Sequence, residues 1–171
     1  MMSNTPILTA AGAVTLRPEA TDGSDEPFLY ALFADSKPEM TLMPVHETVK
    51  EQLLRMQYRS MTMTYRGQFP DARFQIAELD GVPVGRMITD VQATSIYFVD
   101  IVVLSRTQGT GIGTALVRAV FEEARQRGLA VTSKVLVTNA ASLRMCEKVG
   151  FYVVRHDPPY VDLIWPEPAP A

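Results

Sequence analysis

Cysteine is nearly absent from this chain: Cys146 stands alone among 171 residues, which excludes an internal disulfide and suits a reducing compartment. Charge of one sign is lacking too. Lys and Arg number 16 against 19 Asp and Glu, a net charge of −3, so no basic surface for nucleic acid is indicated. No apolar run reaches the ~20 residues of a membrane span. The start, MMSNTPILTAAGAV, has neither the basic opening nor the long apolar stretch of a secretory signal. The histidines, Cys146 and the carboxylates show no metal-ligand spacing, and no Ser/His/Asp signature stands out. The expectation is a cytoplasmic protein with no metal, membrane or nucleic-acid partner.

What remains is ordinary globular material, 47% hydrophobic and 20% charged. The length suits a single domain over residues 1–165. A proline-rich tail, PEPAPA, over 166–171 reads as extended or disordered. Ala13 to Arg17 alternates as a first strand. Ser24 or Asp25 is placed to cap a helix with Phe28, Leu29, Leu32 and Phe33 on one side. A longer helix runs from about Glu47 to Tyr65, with Val49, Leu53, Leu54, Met56 and Met61 as its stripe. Its methionines suit either core packing or an adaptable pocket wall. Phe74 to Leu79 and Val82 to Asp90 form a hairpin about Asp80-Gly81, and Ser95 to Leu104 is the next strand. A helix from Gly111 to Arg127 ends at Gly128. A strand over Ala130 to Val137, a helix over Ala141 to Val149 and strands over Tyr152 to Arg155 and Tyr160 to Trp165 follow. The order is strand, two helices, three strands, helix, strand, helix, two strands. It predicts an α/β (α+β) fold with a mixed, largely antiparallel sheet flanked by helices, not a doubly wound one.

One stretch carries chemistry. Val103 to Val117, VLSRTQGTGIGTALV, runs from a strand through a glycine loop into a helix. Gln108, Gly109, Thr110, Gly111, Ile112 and Gly113 fit Q/R-x-x-G-x-G/A. Glycines allow a sharp turn and bring backbone N–H groups close to a ligand. The unpaired donors and partial positive charge at the helix start suit a diphosphate. A nucleotide P-loop is excluded, since no lysine lies between Lys50 and Lys134. The spacing G-x-G-x-G is not the dinucleotide G-x-G-x-x-G, and the next strand has no acidic residue. A glycine-rich turn that binds nothing remains the plain alternative.

A second segment, Asn139 to Phe151 (NAASLRMCEKVGF), fits an asparagine, a short helix and Gly-Phe: Asn139, Gly150 and Phe151 fall in the register N-x-x-A-x-x-x-Y-x-x-x-G-F, with Ser142 at the alanine. In this order the two segments resemble the GNAT superfamily of N-acetyltransferases, over nearly the whole chain. The resemblance implies that backbone N–H groups from Gly109 to Thr114 cradle the pyrophosphate of acetyl-CoA, the co-substrate. It implies that Ile101, Val102 and Val103 offer backbone to the pantetheine arm, and that Asn139 bonds that arm or its neighbouring backbone, a role not exclusive of capping the following helix. Arg106 reads equally as a phosphate partner or a solvated residue.

One position departs from the pattern. The tyrosine that commonly protonates the leaving thiolate is Cys146 here, too short to reach the same point and best read as a small buried residue. Tyr160 and Tyr152 are its candidate substitutes. Asp100, just before the pantetheine-contacting segment, is the candidate base, with a structural aspartate as the alternative reading. His46, before the long helix, and His156 have less support. The expected reaction is transfer of an acetyl group to a primary amine by direct attack. The acceptor is a small-molecule or peptide amine, and a homodimer is compatible with the reading. A non-catalytic acyl-CoA-binding module on the same fold is the alternative.

Overall fold

A computed structural model describes residues 6–166. Its centre is a sheet of 8 strands in the order β1-β2-β3-β4-β5-β6-β8-β7. Strands β1 (Ile7–Thr9), β2 (Gly12–Pro18), β3 (Arg73–Leu79), β4 (Val82–Val91) and β5 (Ser95–Val103) form one antiparallel run. Strand β6 (Ala130–Leu136) joins β5 in parallel, and β8 (Tyr160–Trp165) and β7 (Tyr152–Asp157) complete the sheet antiparallel to their neighbours. The helices are α1 (Glu26–Asp35), α2 (Pro38–Thr41), α3 (Glu47–Gln68), α4 (Ile112–Arg127) and α5 (Ala140–Val149). This is the mixed, largely antiparallel sheet expected. The expected order lacks β1 and the one-turn helix α2, both too short to leave a periodic signal. Among the described residues no helix is long and apolar enough to cross a membrane. Of the expected tail, residues 167–171 lie outside the described part of the chain.

Two cores form because the strands alternate their side chains between faces. On one face α4 contributes Ile112, Leu116, Val117, Val120, Phe121 and Ala124, all buried, against Ala77, Met87, Ile96 and Phe98. On the other, Leu29 and Phe33 of α1 and Tyr58 of α3 pack over Ile76. Asp80 at φ 49 and Gly81 at φ 81 turn the β3–β4 hairpin, as Asp-Gly suggests. Strand β7 is one edge of the sheet, with β1 at the other, and its pairing with β8 slips between Val153 and Arg155.

Two expectations need correction. The stripe of α3 is Leu54, Tyr58 and Met61, whereas Val49 is 42% exposed and Met56 is 61% exposed. The helix meets the sheet from its middle to its C-terminal end, so apolar residues at its start meet solvent. Neither reading of the methionines holds for Met63, which is 74% exposed. Asp25 sits at the start of α1 but makes no side-chain cap. Its carboxylate instead binds Arg17 in a fork, at 2.7 and 2.8 Å, and accepts from the Ala20 N–H at 2.8 Å. Those bonds, the arginine's above all, hold its carboxyl down at about 2.

Phe121 ties α4 to the far end of the sheet. Its ring stacks on Trp165 at 4.2 Å and meets Phe151 edge-on at 5.1 Å. Phe121→Ala should lower unfolding free energy by about 3–5 kcal/mol in a denaturant titration, through lost burial and the cavity left behind. A loss under about 1 kcal/mol would show that this cluster does not hold the helix to the sheet.

Candidate active site

The site begins where the sheet comes apart. Strands β5 and β6 pair from Ser95/Ala130 only as far as Phe98/Ser133. Beyond that β5 stays with β4, through Val103, while β6 stays with β8, through Leu136. Ser133 Oγ donates to the Phe98 carbonyl at 3.1 Å, satisfying an acceptor where pairing stops. From Val99 onward one edge of β5 has no strand beside it. The gap opens into a cavity of about 500 Å³ whose walls include Asp100, Ile101, Asn139, Cys146 and Tyr160.

A bulge sets what points into it. Ile88 pairs with Asp100 and Thr89 with Phe98, so Val99 is an extra residue on β5. Ile96 and Phe98 face α4 before the bulge, and Ile101 and Val103 face α4 after it. Asp100 is thereby turned to the opposite face, towards α3. There Arg86 of β4, buried at 6% exposure, donates from Nη2 to Asp100 Oδ2 at 2.5 Å. Asp100 Oδ1 accepts from no described residue. The Arg86 guanidinium also lies 5.9 Å from the centre of the Tyr65 ring. Burial first, and then the nearby Asp100, push the Tyr65 hydroxyl up to about 12. Burial, with a smaller push from Asp162, raises Tyr97 as well. Both phenols keep their protons at neutral pH.

The glycine loop follows directly on the open stretch of β5 and leads into α4, and its residues are not among those that line the cavity. Gly109 at φ 78 and Gly111 at φ 88 take the left-handed conformation that a side chain resists. Gly111 is the residue at the N-cap of α4, and no side chain caps the helix. Among the described residues, none accepts a hydrogen bond from the backbone N–H groups of Gly109 to Thr114. A run of unsatisfied donors at a helix start, with the helix dipole behind it, is an anion cradle. Ile112 is buried, so it offers the cradle only its N–H. The Thr110 hydroxyl donates back to the Thr107 carbonyl at 2.6 Å, and Gln108 Nε2 donates to the Val103 carbonyl at 3.3 Å. Both side chains brace the loop.

A family model described as the acetyltransferase (GNAT) family matches residues 27–151, most of the chain. The chain belongs to the GNAT acetyltransferase family. No curated protein matches it. Solved GNAT structures share its fold at low identity. A PaiA N-acetyltransferase from Thermoplasma acidophilum, in complex with coenzyme A, is 17% identical with a TM-score of 0.65, over 88% of this chain and 97% of that one. Mycobacterium smegmatis RimJ, in complex with CoA-disulfide, is 17% identical at 0.62, over 94% and 85%. An acetyltransferase from Thermus thermophilus is 19% identical at 0.64, over 95% and 99%. Membership implies acyl-CoA-dependent acyl transfer.

The other GNAT-suggested positions divide clearly. Asn139 lines the cavity and caps α5, its Oδ1 accepting from the Ser142 N–H at 3.1 Å. Tyr160, at the start of β8, lines the cavity; Tyr152, on the exposed strand β7, is not among the residues that do. Val102 and Val103 continue the open stretch of β5 without lining the cavity. Arg106 is exposed in a 3₁₀ turn, and His156 is exposed on β7. His46 caps α3, its ring nitrogen 3.3 Å from the Thr48 N–H. Cys146 is 7% exposed, and burial pushes its thiol up to about 11. Sequence reasoning misses Arg86, Tyr65, Phe69 and Tyr97. A lone cation within VPVGRMITD and aromatics four apart at the end of α3 are the signals it had.

Gly111→Asp places a side chain at positive φ and a negative charge in the cradle. Acetyl-CoA should raise the melting temperature of the native chain through preferential binding to the folded state and should not raise that of the variant. An equal rise in a folded variant would misplace the donor site. For Cys146 the neutral thiol sets the expectation. Alkylation of the folded protein should stay slow up to about pH 10, and Cys146→Ala or Cys146→Ser should keep most activity. Loss by orders of magnitude in a variant that folds and binds acetyl-CoA would assign the thiol a catalytic part.

Proposed function

We propose that this chain is an N-acetyltransferase that moves an acetyl group from acetyl-CoA to a primary amine by direct attack. The observation that carries the reading is the unsatisfied N–H run from Gly109 to Thr114 at the mouth of the parted strands. The cradle suits the diphosphate through the backbone of Gly109, Thr110, Gly111, Ile112, Gly113 and Thr114. The unpaired edge over Ile101, Val102 and Val103 suits the amide groups of the pantetheine arm, with Asn139 across the gap. The loop-side edge of β5 would also offer a backbone N–H to polarise the thioester carbonyl.

The acceptor arrives as an ammonium and must lose a proton before its lone pair can attack. Asp100 Oδ1 is the open carboxylate oxygen on the acceptor side, and Arg86 fixes the orientation of that group through Oδ2. The amine nitrogen bonds to the carbonyl carbon and releases its surplus proton to solvent, the C–S bond breaks, and the departing thiolate takes a proton. Tyr160 is the donor we assign, because it lines the cavity from β8 as Asp100 does from β5. Tyr160→Phe should therefore cost more activity than any change at Cys146.

Asp100→Asn should slow turnover most below the pKa of the acceptor amine. High pH should partly rescue it, since a free amine needs no base. Melting temperature must be followed alongside, because the variant leaves Arg86 buried without its counter-charge. A loss equal at every pH in a folded protein would remove Asp100 from the base role. Binding of acetyl-CoA with no thiol release from any amine would instead identify an acyl-CoA-binding module.

A further inference from the structure

We infer that the acceptor is a monoamine carried on a planar apolar body, in chemical class an arylalkylamine, held by aromatic rings on the α3 face of the sheet. The inference rests on the acyltransfer reading above and deepens it. The parted strands are an opening between the two faces. The anion cradle lies at the start of α4, so the donor occupies the α4 face and the acceptor reaches the gap from the α3 face. Four aromatic residues line the cavity towards that side: Tyr65, Phe69, Tyr97 and Tyr160. Tyr65 and Phe69 are one turn apart at the end of α3, and the Phe69 ring stacks on Tyr97 with centres 5.6 Å apart and planes at 26°. Flat π-surfaces grouped this way favour a ring over a flexible polar chain.

Charge on the same face narrows the class further. Two of its carboxylates have cationic partners, Asp100 in Arg86 at 2.5 Å and Asp162 in Arg155 at 2.9 Å with Lys134 at 3.5 Å. Among the described residues Asp90, opposite Tyr97 on β4, accepts only from the Gln92 amide at 3.1 Å. Asp157, at the outer end, is 3.4 Å from Arg155. Among the residues that line the cavity Asp100 is the one carboxylate, so the cavity offers one ammonium site, and a second ammonium finds a counter-charge only outside it, at Asp90. A polyamine is disfavoured. The cations Arg86, Lys134 and Arg155 each have an acidic partner, so an acceptor bearing its own carboxylate finds no unengaged cation there. An amino acid is disfavoured for that reason. A single amine at Asp100 with its ring against Tyr97 and Phe69 satisfies both limits.

The test measures thiol release from saturating acetyl-CoA by the full chain, with 2-phenylethylamine, n-propylamine, putrescine and phenylalanine compared at one pH. The expected order places 2-phenylethylamine first, by about tenfold in kcat/KM over n-propylamine. Phe69→Leu keeps apolar bulk but removes the flat face, and Tyr97→Ala removes the second ring. Each should raise KM for 2-phenylethylamine about three- to tenfold, change that for n-propylamine less, and retain the acetyl-CoA rise in melting temperature that reports an intact fold. Putrescine or phenylalanine used as well as 2-phenylethylamine would overturn the inference while leaving acyltransfer standing. So would a ring preference unchanged in Phe69→Leu. No thiol release with any amine of a wider panel would overturn both.

Discussion

Everything at the candidate site depends on a single structural conflict: β5 and β6 are parallel neighbours with different loyalties. Each is bound by antiparallel pairing to a partner on its outer side, β4 for one and β8 for the other. Their own pairing lasts only from Ser95 to Phe98 on β5. Parallel pairing is slightly the weaker kind per residue, so it is the seam at which a wide twisted sheet can part at least cost. The gap exposes backbone groups that a continuous sheet would hide, and it does so between two well-packed halves. A site built from backbone between rigid elements needs little rearrangement before a ligand enters.

The same gap divides labour between the faces. On the α4 side it is the main chain that lies open, through glycines at φ 78 and φ 88 and a helix start without a side-chain cap. Such a surface recognises phosphate and amide groups and tolerates variation in the side chains around it. On the α3 side it is side chains that face the cavity, with Arg86, Asp100 and several phenols set among apolar neighbours. Removing either member of the Arg86–Asp100 pair strands a charge in a place that solvates it poorly.

This difference explains what can be read in advance. The helices over Ile112–Arg127 and Ala140–Val149, the Asp80-Gly81 turn and the closing strands are legible because periodicity and turn residues are local signals. The glycine loop is legible for the same reason. The Arg86–Asp100 pair spans two strands, and nothing in sequence sets its register. Asp25 reads as a cap from its position alone, since Arg17 is brought to it only when β2 packs beside α1. On α3 the apolar residues at the helix start mimic a buried stripe. Burial there is decided by where the helix leaves the sheet, which is a tertiary fact. Cys146 reads as a small buried residue from its size, and its burial agrees.

The extra residue at Val99 has a consequence of its own. In a strand, odd and even positions belong to opposite sides, so an inserted residue acts as a parity change for all that follows. Upstream of Val99, even-numbered residues face α4; downstream, odd-numbered ones do. Asp100 thus lies on the α3 side by count rather than by chemistry. Shortening β5 by this one residue would send the carboxylate into the apolar layer under α4 and turn Ile101 towards Arg86. The composition of the strand would hardly change, yet its polar and apolar sides would trade places. Inheritance of the bulge is therefore inheritance of the site's handedness, and a chain of this design has less freedom in the length of that strand than in most of its side chains.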